Sequence, residues 1–202
     1  MVRVRPAPLL PLTATVPDCL PVLDDREGPR DECGVFGIYA PGHDVSRLAY
    51  FALYALQHRG QESAGIAAAD LHGHIITQRA LGLVSQVFKE HDLRALAGDI
   101  AIGHVRYSTT GANEWENSQP VHRSAGPDGH RELALAHNGN LINAVELHAE
   151  LREQGITFSS TSDSEIIAAM LSASPRDQLE DAVADVMPRL KGAFSTVAMV
   201  RD

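Results

Sequence analysis

The sequence predicts a packed α/β domain over residues 33–202, preceded by a disordered leader over residues 1–32. Short apolar segments bounded by Gly and Pro alternate with segments whose apolar residues recur every three or four positions, which is typical of mixed strands and helices. Hydrophobic residues make up 44% and charged residues 21% of the 202 residues, as in ordinary globular proteins. The leader is rich in proline and then acidic, as in "DDREGPRDE", which indicates disorder.

The first half of the domain predicts a strand, a helix, a pair of strands and a further strand. "GVFGIYA" predicts a buried strand, and residues 45–58 predict a helix that ends at Gly60. The expected core face of this helix comprises Leu48, Phe51 or Ala52, Ala55 and Leu56. "SAGIAAAD" and "HIITQRAL" predict strands paired about Leu71-His72-Gly73, a short helical piece follows at 84–97, and "DIAIGHVRYS" predicts a strand.

The second half begins with a long predicted loop, "TTGANEWENSQPVHRSAGPDG". "ELALAHNGN" predicts a strand that stops at an Asn-Gly turn, and "LINAVELHAELREQG" predicts a helix that ends at Gly155. Ser162 and Glu165 have capping-box spacing and open a helix that runs through Leu171. Ser174-Pro175 predicts the start of another helix, with Leu179, Val183, Val186 and Leu190 on one face. "GAFSTVAMV" predicts a final strand, and its position at the end of the sequence suggests a fragment of a longer protein.

Composition argues against several classes of function. The net charge of −9 and the lack of a run of Lys or Arg argue against nucleic acid and anionic membranes as partners. No segment approaches the roughly 20 apolar residues of a membrane helix. Cys19 and Cys33 are the two cysteines, and neither has the spacing of a zinc or redox motif, which favours a cytoplasmic location. His72-Gly73-His74 is the nearest approach to a metal motif, and a turn explains it more simply.

Five polar clusters lie at the predicted ends of strands and helices, where functional sites collect in layered folds. They are Cys33, "QHRGQES", "GHVRYSTTG", "AHNGN" and "TSDSE". Each has an ordinary explanation alone, because a cysteine beside a strand is more often a core residue, an Asn-Gly pair a turn and an aspartate a helix cap. Together they fit one chemistry, in which a thiol attacks an acyl carbon.

Cys33 is the predicted nucleophile, and no histidine is singled out as its base. If the chain is cut between Glu32 and Cys33, the new α-amino group has a reference pKa of about 7.7–8.0, near the thiol's value of about 8.5, and can exchange a proton with it. Asn138 and Gly139 offer adjacent donors for an oxyanion. Arg106 can bind a carboxylate and Asp163 an ammonium group, so glutamine fits as the substrate.

The motifs "ECGVFGI", "LYALQHRGQESAGI", "GHVRYSTTG", "AHNGNLINA" and "TSDSEII" occur in this order. They resemble the glutaminase domain of the class II glutamine amidotransferases, which are N-terminal-nucleophile hydrolases, from about residue 32 to residue 202. The resemblance implies an α+β fold, a four-layer αββα sandwich of two mainly antiparallel sheets. It also implies that the leader is a propeptide and that Arg59 and Gly60 lie near the nucleophile.

Within this class, the branch that opens de novo purine synthesis matches best, because of "HVRYST" and the leader. There the ammonia passes to a second domain, where phosphoribosyl pyrophosphate (PRPP) is converted to phosphoribosylamine. That resemblance implies Mg²⁺, in one branch a [4Fe–4S] cluster, and a homo-oligomer for the longer protein. We expect no cofactor in this segment, since neither a PRPP-binding loop nor the cluster cysteines are present in it.

Three alternatives remain at the level of sequence. The chain could be the glutaminase of another class II enzyme, of the glucosamine-6-phosphate synthase or asparagine synthetase type. It could be a non-catalytic fragment that keeps the fold, which an uncut leader would favour. It could also be a redox-sensing thiol protein, with Cys19 as the weakly supported partner of Cys33.

Overall fold

The structure is a computed structural model that describes residues 33–70, 74–107, 115–125 and 131–201. The leader, the turn 71–73 and two parts of the long predicted loop lie outside the described residues. The strands are β1 (Cys33–Tyr39), β2 (Ser63–Ala69), β3 (Ile76–Leu81), β4 (Ile100–Arg106), β5 (Val121–Ala125), β6 (Arg131–Leu141) and β7 (Gly192–Arg201). The helices are α1 (Val45–Ala55), α2 (Val84–Val87), α3 (Glu90–Ala95), α4 (Ala144–Glu153), α5 (Asp163–Ser172) and α6 (Leu179–Val186).

The strands form two antiparallel sheets. The first has the order β1-β4-β2-β3, and the second has the order β5-β6-β7. Because successive side chains of a strand point to opposite faces, each sheet has one face toward the other sheet and one face toward a helix layer.

Three apolar clusters correspond to the three interfaces between four layers. One joins α1, α2 and α3 to the first sheet and includes Ala49, Leu53 and Val105. A second joins the two sheets through small residues of β2 and β6 together with Ile102 and Met199. The third packs α4, α5 and α6 against the second sheet. The fold is therefore the predicted four-layer αββα sandwich.

The helix α1 was correctly predicted, but the face expected to lie in the core was wrong. Its buried residues are Val45, Ser46, Ala49 and Leu53. Leu48 and Phe51 are 41% and 61% exposed. Small Ala49 and Ser46 allow the helix to approach the sheet closely, so the inward face is the less bulky one.

The second half of the domain departs from the sequence prediction in three places. The predicted long loop contains β5 and a 3₁₀ turn at Trp115–Asn117. β6 continues through Asn138 and Gly139 to Leu141 and does not turn there. The last helix begins at Leu179, not at Ser174-Pro175, because Ser174 instead accepts a hydrogen bond from the Arg176 amide.

The capping box predicted from Ser162 and Glu165 is absent. The Ser162 side chain makes no capping hydrogen bond to α5, and the Glu165 carboxylate accepts from Ser159 and Ser160 instead. The helix itself was correctly predicted. Its neighbour α4 ends near Gly155 as expected, with Gly155 at a φ of 83°. Across the residues that the structure describes, no helix is long and apolar enough to cross a membrane.

Candidate active site

Cys33 is the first residue of β1, at an edge of the first sheet. It lies directly opposite Arg106 in the β1–β4 ladder, and directly opposed residues of an antiparallel pair project from the same face. Ile102, two register positions further in on that face of β4, belongs to the cluster between the sheets. The thiol therefore faces the second sheet, and it donates a hydrogen bond to the Tyr107 carbonyl at 3.5 Å.

The carbonyl oxygen of Cys33 joins two of the predicted site segments. It accepts from Arg59 Nε at 2.8 Å and from Asn138 Nδ2 at 3.1 Å. Arg59 lies on the first-sheet side and Asn138 on β6 of the second sheet. The predicted nucleophile is thus held between the two sheets by residues that the sequence analysis had assigned to the same site.

Arg59 and Gly60 close the 3₁₀ turn Gln57–Arg59 that follows α1. The Gln57 side chain donates to the Gly60 carbonyl and accepts from the Val84 amide at 2.6 Å, so the turn is fixed at both ends. Gly60 lies against the backbone of Arg106, since a Cβ added at Gly60 would come within 2.7 Å of the Arg106 carbonyl carbon. Only a glycine allows this contact, and the contact brings the turn to the end of β4.

Arg106 is 7% exposed, and its Nη1 makes no hydrogen bond within the described structure. The nearest acid is Glu62, whose Oε2 is 3.9 Å from that nitrogen. Buried polar atoms without a partner are uncommon in native structures and call for an explanation. A guanidinium in this state can bind a carboxylate through two parallel hydrogen bonds.

Asn138 and Gly139 lie near the end of β6, opposite Ser195 and Phe194 of β7. Gly139 has a φ of 130°, and a Cβ there would come within 2.2 Å of the Ala193 carbonyl oxygen. The predicted turn was wrong at this position, yet the glycine is still required because of its backbone conformation. The two predicted oxyanion donors are held in a paired strand, which is a more rigid support than a turn.

Asp163 is the first residue of α5, and its carboxylate is linked to β6. Oδ2 accepts from the Leu141 amide at 3.0 Å, and Oδ1 lies 3.5 Å from His137 Nδ1. Burial raises the pKa of Asp163, but the hydrogen bond and charge of His137 and the backbone amides outweigh it, so the net pKa is lowered. A carboxylate that remains ionised and partly exposed can bind an ammonium group.

Sequence reasoning assigned no role in the site to four buried polar residues around it: His104, Gln119, His137 and Glu165, the last of which it predicted as part of a capping box. Glu165 accepts hydrogen bonds from Ser159 and Ser160 and pairs with Arg123 at 3.0 Å. The signal for the two histidines was available, because each interrupts an apolar strand. No pattern in the sequence indicates what Gln119 binds.

Across the described residues, no group of three or more His, Cys, Asp or Glu side chains is arranged to hold a metal ion. His74, the described part of the predicted metal-like motif, instead contacts Glu132 at 2.9 Å. The described residues therefore do not fit Mg²⁺ or an iron–sulfur cluster.

Comparisons with known proteins identify relatives of the chain. The family described as "Glutamine amidotransferase domain" matches residues 104–202. The amidophosphoribosyltransferase of Mycobacterium bovis is 50% identical over 181 residues, which cover 87% of this chain and 34% of that protein.

Two solved structures share the fold. One is described as the allosteric regulatory enzyme of purine biosynthesis, with 40% identity, a TM-score of 0.74, and coverage of 82% of this chain and 35% of that one. The other is the glutamine PRPP amidotransferase from B. subtilis complexed with ADP and GMP, with 39% identity, a TM-score of 0.73, and coverage of 82% of this chain and 34% of that one.

The chain carries a glutamine amidotransferase domain. The resemblance predicted from the five motifs is confirmed, and this amidotransferase domain spans about one third of the length of these relatives.

Proposed function

We propose that the domain hydrolyses the side-chain amide of glutamine through a γ-glutamyl thioester on Cys33, and that the ammonia aminates PRPP in the first step of de novo purine synthesis. The observation that carries this proposal is the meeting at Cys33 of Arg59, Arg106 and Asn138 from three separate motifs. The second half-reaction is proposed by analogy with the amidophosphoribosyltransferases, of which this chain covers about one third.

The nucleophile requires a base, and the α-amino group of Cys33 provides one once the bond between Glu32 and Cys33 is cut. The position of Cys33 supports this, because the described β1–β4 pairs run from Cys33 to Tyr39. A cut before Cys33 therefore leaves each of these described pairs in place. An uncut chain would have an amide nitrogen at that position, which is not a base.

The proposed reaction has two covalent steps. In the first, the Cys33 sulfur bonds to the amide carbon of glutamine, the thiol proton passes through the α-amino group to the leaving nitrogen, and ammonia departs. In the second, water adds to the thioester, the carbon–sulfur bond breaks, and glutamate leaves as the thiol is restored. Both steps pass through a tetrahedral oxyanion.

Asn138 Nδ2 and the Gly139 amide are the proposed oxyanion donors. Asn138 Nδ2 already lies 3.1 Å from the Cys33 carbonyl oxygen, so it is close to where an acyl group on Cys33 would be. Donors fixed in a partly buried site stabilise developing charge more than water does, because they need not reorient during the reaction.

Arg106 and Asp163 are the proposed anchors for the α-carboxylate and α-ammonium groups of glutamine. The buried Nη1 of Arg106, which has no hydrogen-bond partner among the described residues, supports the first role. The ionised, partly exposed carboxylate of Asp163 supports the second. A substrate held at both ends has its amide carbon restricted in position, which favours attack.

The deciding experiment measures the intact mass and the N-terminal residue of the purified full chain, together with glutamate release from glutamine. We expect a chain that begins at Cys33 and hydrolyses glutamine. Cys33→Ala should lower the rate by at least about 10⁴-fold, as expected for loss of a nucleophile. Cys19→Ala is the matched control and should have no effect on the mature chain. Hydrolysis that persists in Cys33→Ala, or glutamine hydrolysis by an uncut chain, would disprove the mechanism.

A further inference from the structure

We propose that His104 and Gln119 are positioning residues that hold the peptide group between His137 and Asn138, and thereby fix the oxyanion donors relative to Cys33. This inference rests on the proposed function for its catalytic consequence. The hydrogen bonds that it describes can be tested without any activity, as set out below.

The carbonyl oxygen of His137 receives two side-chain donors. His104 Nε2 lies 3.1 Å from it, and Gln119 Nε2 lies 3.1 Å from it. Gln119 also accepts from the His137 amide at 2.7 Å, so its side chain binds both backbone groups of this one residue. We call these three hydrogen bonds the His137 clamp.

The clamp lies where β6 loses a neighbour. The pairing of β5 with β6 ends at Val121 opposite Leu135, so His137 is beyond the last paired residue on that side. Gln119 occupies the position that the strand would have taken, and it is only 6% exposed. Arg79 fixes this segment by donating to the Ser118 and Pro120 carbonyls.

The clamp also joins the two sheets. His104 lies on β4, two residues before Arg106 and opposite Val35 of β1, so it belongs to the same face as the nucleophile. On the other side of His104, Gly65 is the partner in β2. A Cβ at Gly65 would come within 2.0 Å of the Gln119 carbonyl oxygen, and its absence allows Gln119 to approach His104.

The chemistry of His104 fits a neutral donor. Because Nε2 lies beside a carbonyl, that nitrogen carries the proton, and Nδ1 is buried without a hydrogen-bond partner in the described structure. A second proton on Nδ1 would be buried without an acceptor. Burial lowers the pKa of His104 to about 3, so the ring remains neutral at physiological pH.

The His137 clamp would affect catalysis by orienting the two oxyanion donors. The clamped carbonyl belongs to the peptide group that includes the Asn138 amide, so its orientation sets the direction of Asn138 and of Gly139 beyond it. The side chain of His137 points to the opposite layer and contacts Ser164 at 3.2 Å and Asp163 at 3.5 Å. Loosening this residue would disturb the oxyanion donors first, and a misplacement of about 1 Å at a reacting centre can cost about 10²-fold in rate.

The test compares His104→Leu, which removes the donor, with His104→Gln, whose amide can donate from nearly the same position. In the mature full chain we expect His104→Leu to lower kcat for glutamine by about 10²-fold while KM changes less than about threefold. His104→Gln should recover kcat to within about tenfold of the wild type. Leu93→Ala, which weakens the packing of α3 instead, is the matched control and should leave kcat unchanged.

Hydrogen exchange provides a readout that needs no activity. The amides of residues 137–139 should exchange faster in His104→Leu than in the wild type and in Leu93→Ala. If His104→Leu does not fold, Gln119→Met removes the other donor and should give the same pattern. Unchanged kcat or unchanged local exchange, or equal losses in the Leu and Gln variants, would overturn the proposal. A wild type without glutaminase activity would instead refute the proposed function, and exchange alone would then decide the clamp.

Discussion

The two sheets hold their parts of the site in different ways. In the first sheet, Cys33 and Arg106 are placed by the regular β1–β4 ladder and by the close contact of Gly60 with the β4 backbone. On the second-sheet side, Asn138 of β6 lies where that strand has lost its β5 neighbour, and the buried Gln119 side chain replaces the missing strand, while Asp163 binds β6 from the start of α5. The first arrangement depends on small residues, and the second depends on hydrogen-bonding partners. Substitutions should therefore damage the two regions by different mechanisms.

The largest expected effect is on the second-sheet side. Glu165→Ala should lower the free energy of unfolding by about 3–5 kcal/mol, because it removes the acceptor of Ser159 and Ser160 and the charged partner of Arg123, which then retains only the Thr157 carbonyl. Urea unfolding measures this change. Glu180→Ala is the matched control, since Glu180 is exposed on α6, and should change stability by less than about 0.5 kcal/mol. Equal effects of the two substitutions would refute the role of buried partners.

A smaller effect on stability is expected on the first-sheet side. Gly60→Ala should cost about 1–3 kcal/mol from overpacking, because the new Cβ would be within 2.7 Å of β4 backbone atoms. Gly60 has an extended backbone with a φ of −161°, so no backbone strain contributes. Glutamine hydrolysis should fall at the same time, since the contact aligns Arg59 with Arg106.

Gly42→Ala is the contrasting control for Gly60→Ala. Gly42 has a φ of 77°, but a Cβ there meets no atom within 4 Å. It should therefore cost stability through backbone strain and leave the rate of glutamine hydrolysis unchanged. If both substitutions lower stability but neither alters the rate, close contact at Gly60 does not position the site.

The last prediction concerns His104, which lies between the two regions, and the change that it causes in the free energy of unfolding per pH unit. Its pKa is about 3 in the folded chain, below the ordinary histidine value of 6.5, so the unfolded state binds more protons between these two pH values. Stability should therefore fall as pH falls through this window, by at most about 1.4 kcal/mol per pH unit. The pKa of Asp163 is lowered from 3.8, so Asp163 contributes only at lower pH. Unfolding measured between pH 6 and 4.5 should show a shallower slope in His104→Gln than in the wild type, and identical slopes would contradict the neutral state of His104.

The sequence predicted more of the first region than of the second, for a physical reason. Strand alternation and glycine punctuation identify β1, β2 and β4, and the ladder that they form then places Cys33 opposite Arg106. In the second region, β5 was hidden in a segment that contains Pro120 and several polar residues, and it was predicted as loop. The pairing of Gln119 with His137 depends on two segments meeting in space, and no local pattern reports such a contact.

The error at α1 shows a different limit. Both faces of this helix carry apolar residues, so the 3.6-residue period alone could not decide between them. The sheet selected the face with Ala49 and Leu53 because it allows closer approach, while Phe51 remained 61% exposed. The large apolar side chains of α1 therefore led to a wrong prediction of its buried face, although the strands of the same sheet were predicted correctly.

The two side chains that donate to the Cys33 carbonyl are synthesised at different times. Its first donor, Arg59, follows 26 residues later in the chain, and its second, Asn138, follows 105 residues later. A domain generally folds as a unit, and the inner face of the first sheet packs on β6 and β7, so this packing must wait until both of these strands have been made. The nucleophile gains its full set of neighbours only after β6 has been made and docked, which delays the assembly of a reactive thiol until most of the domain surrounds it.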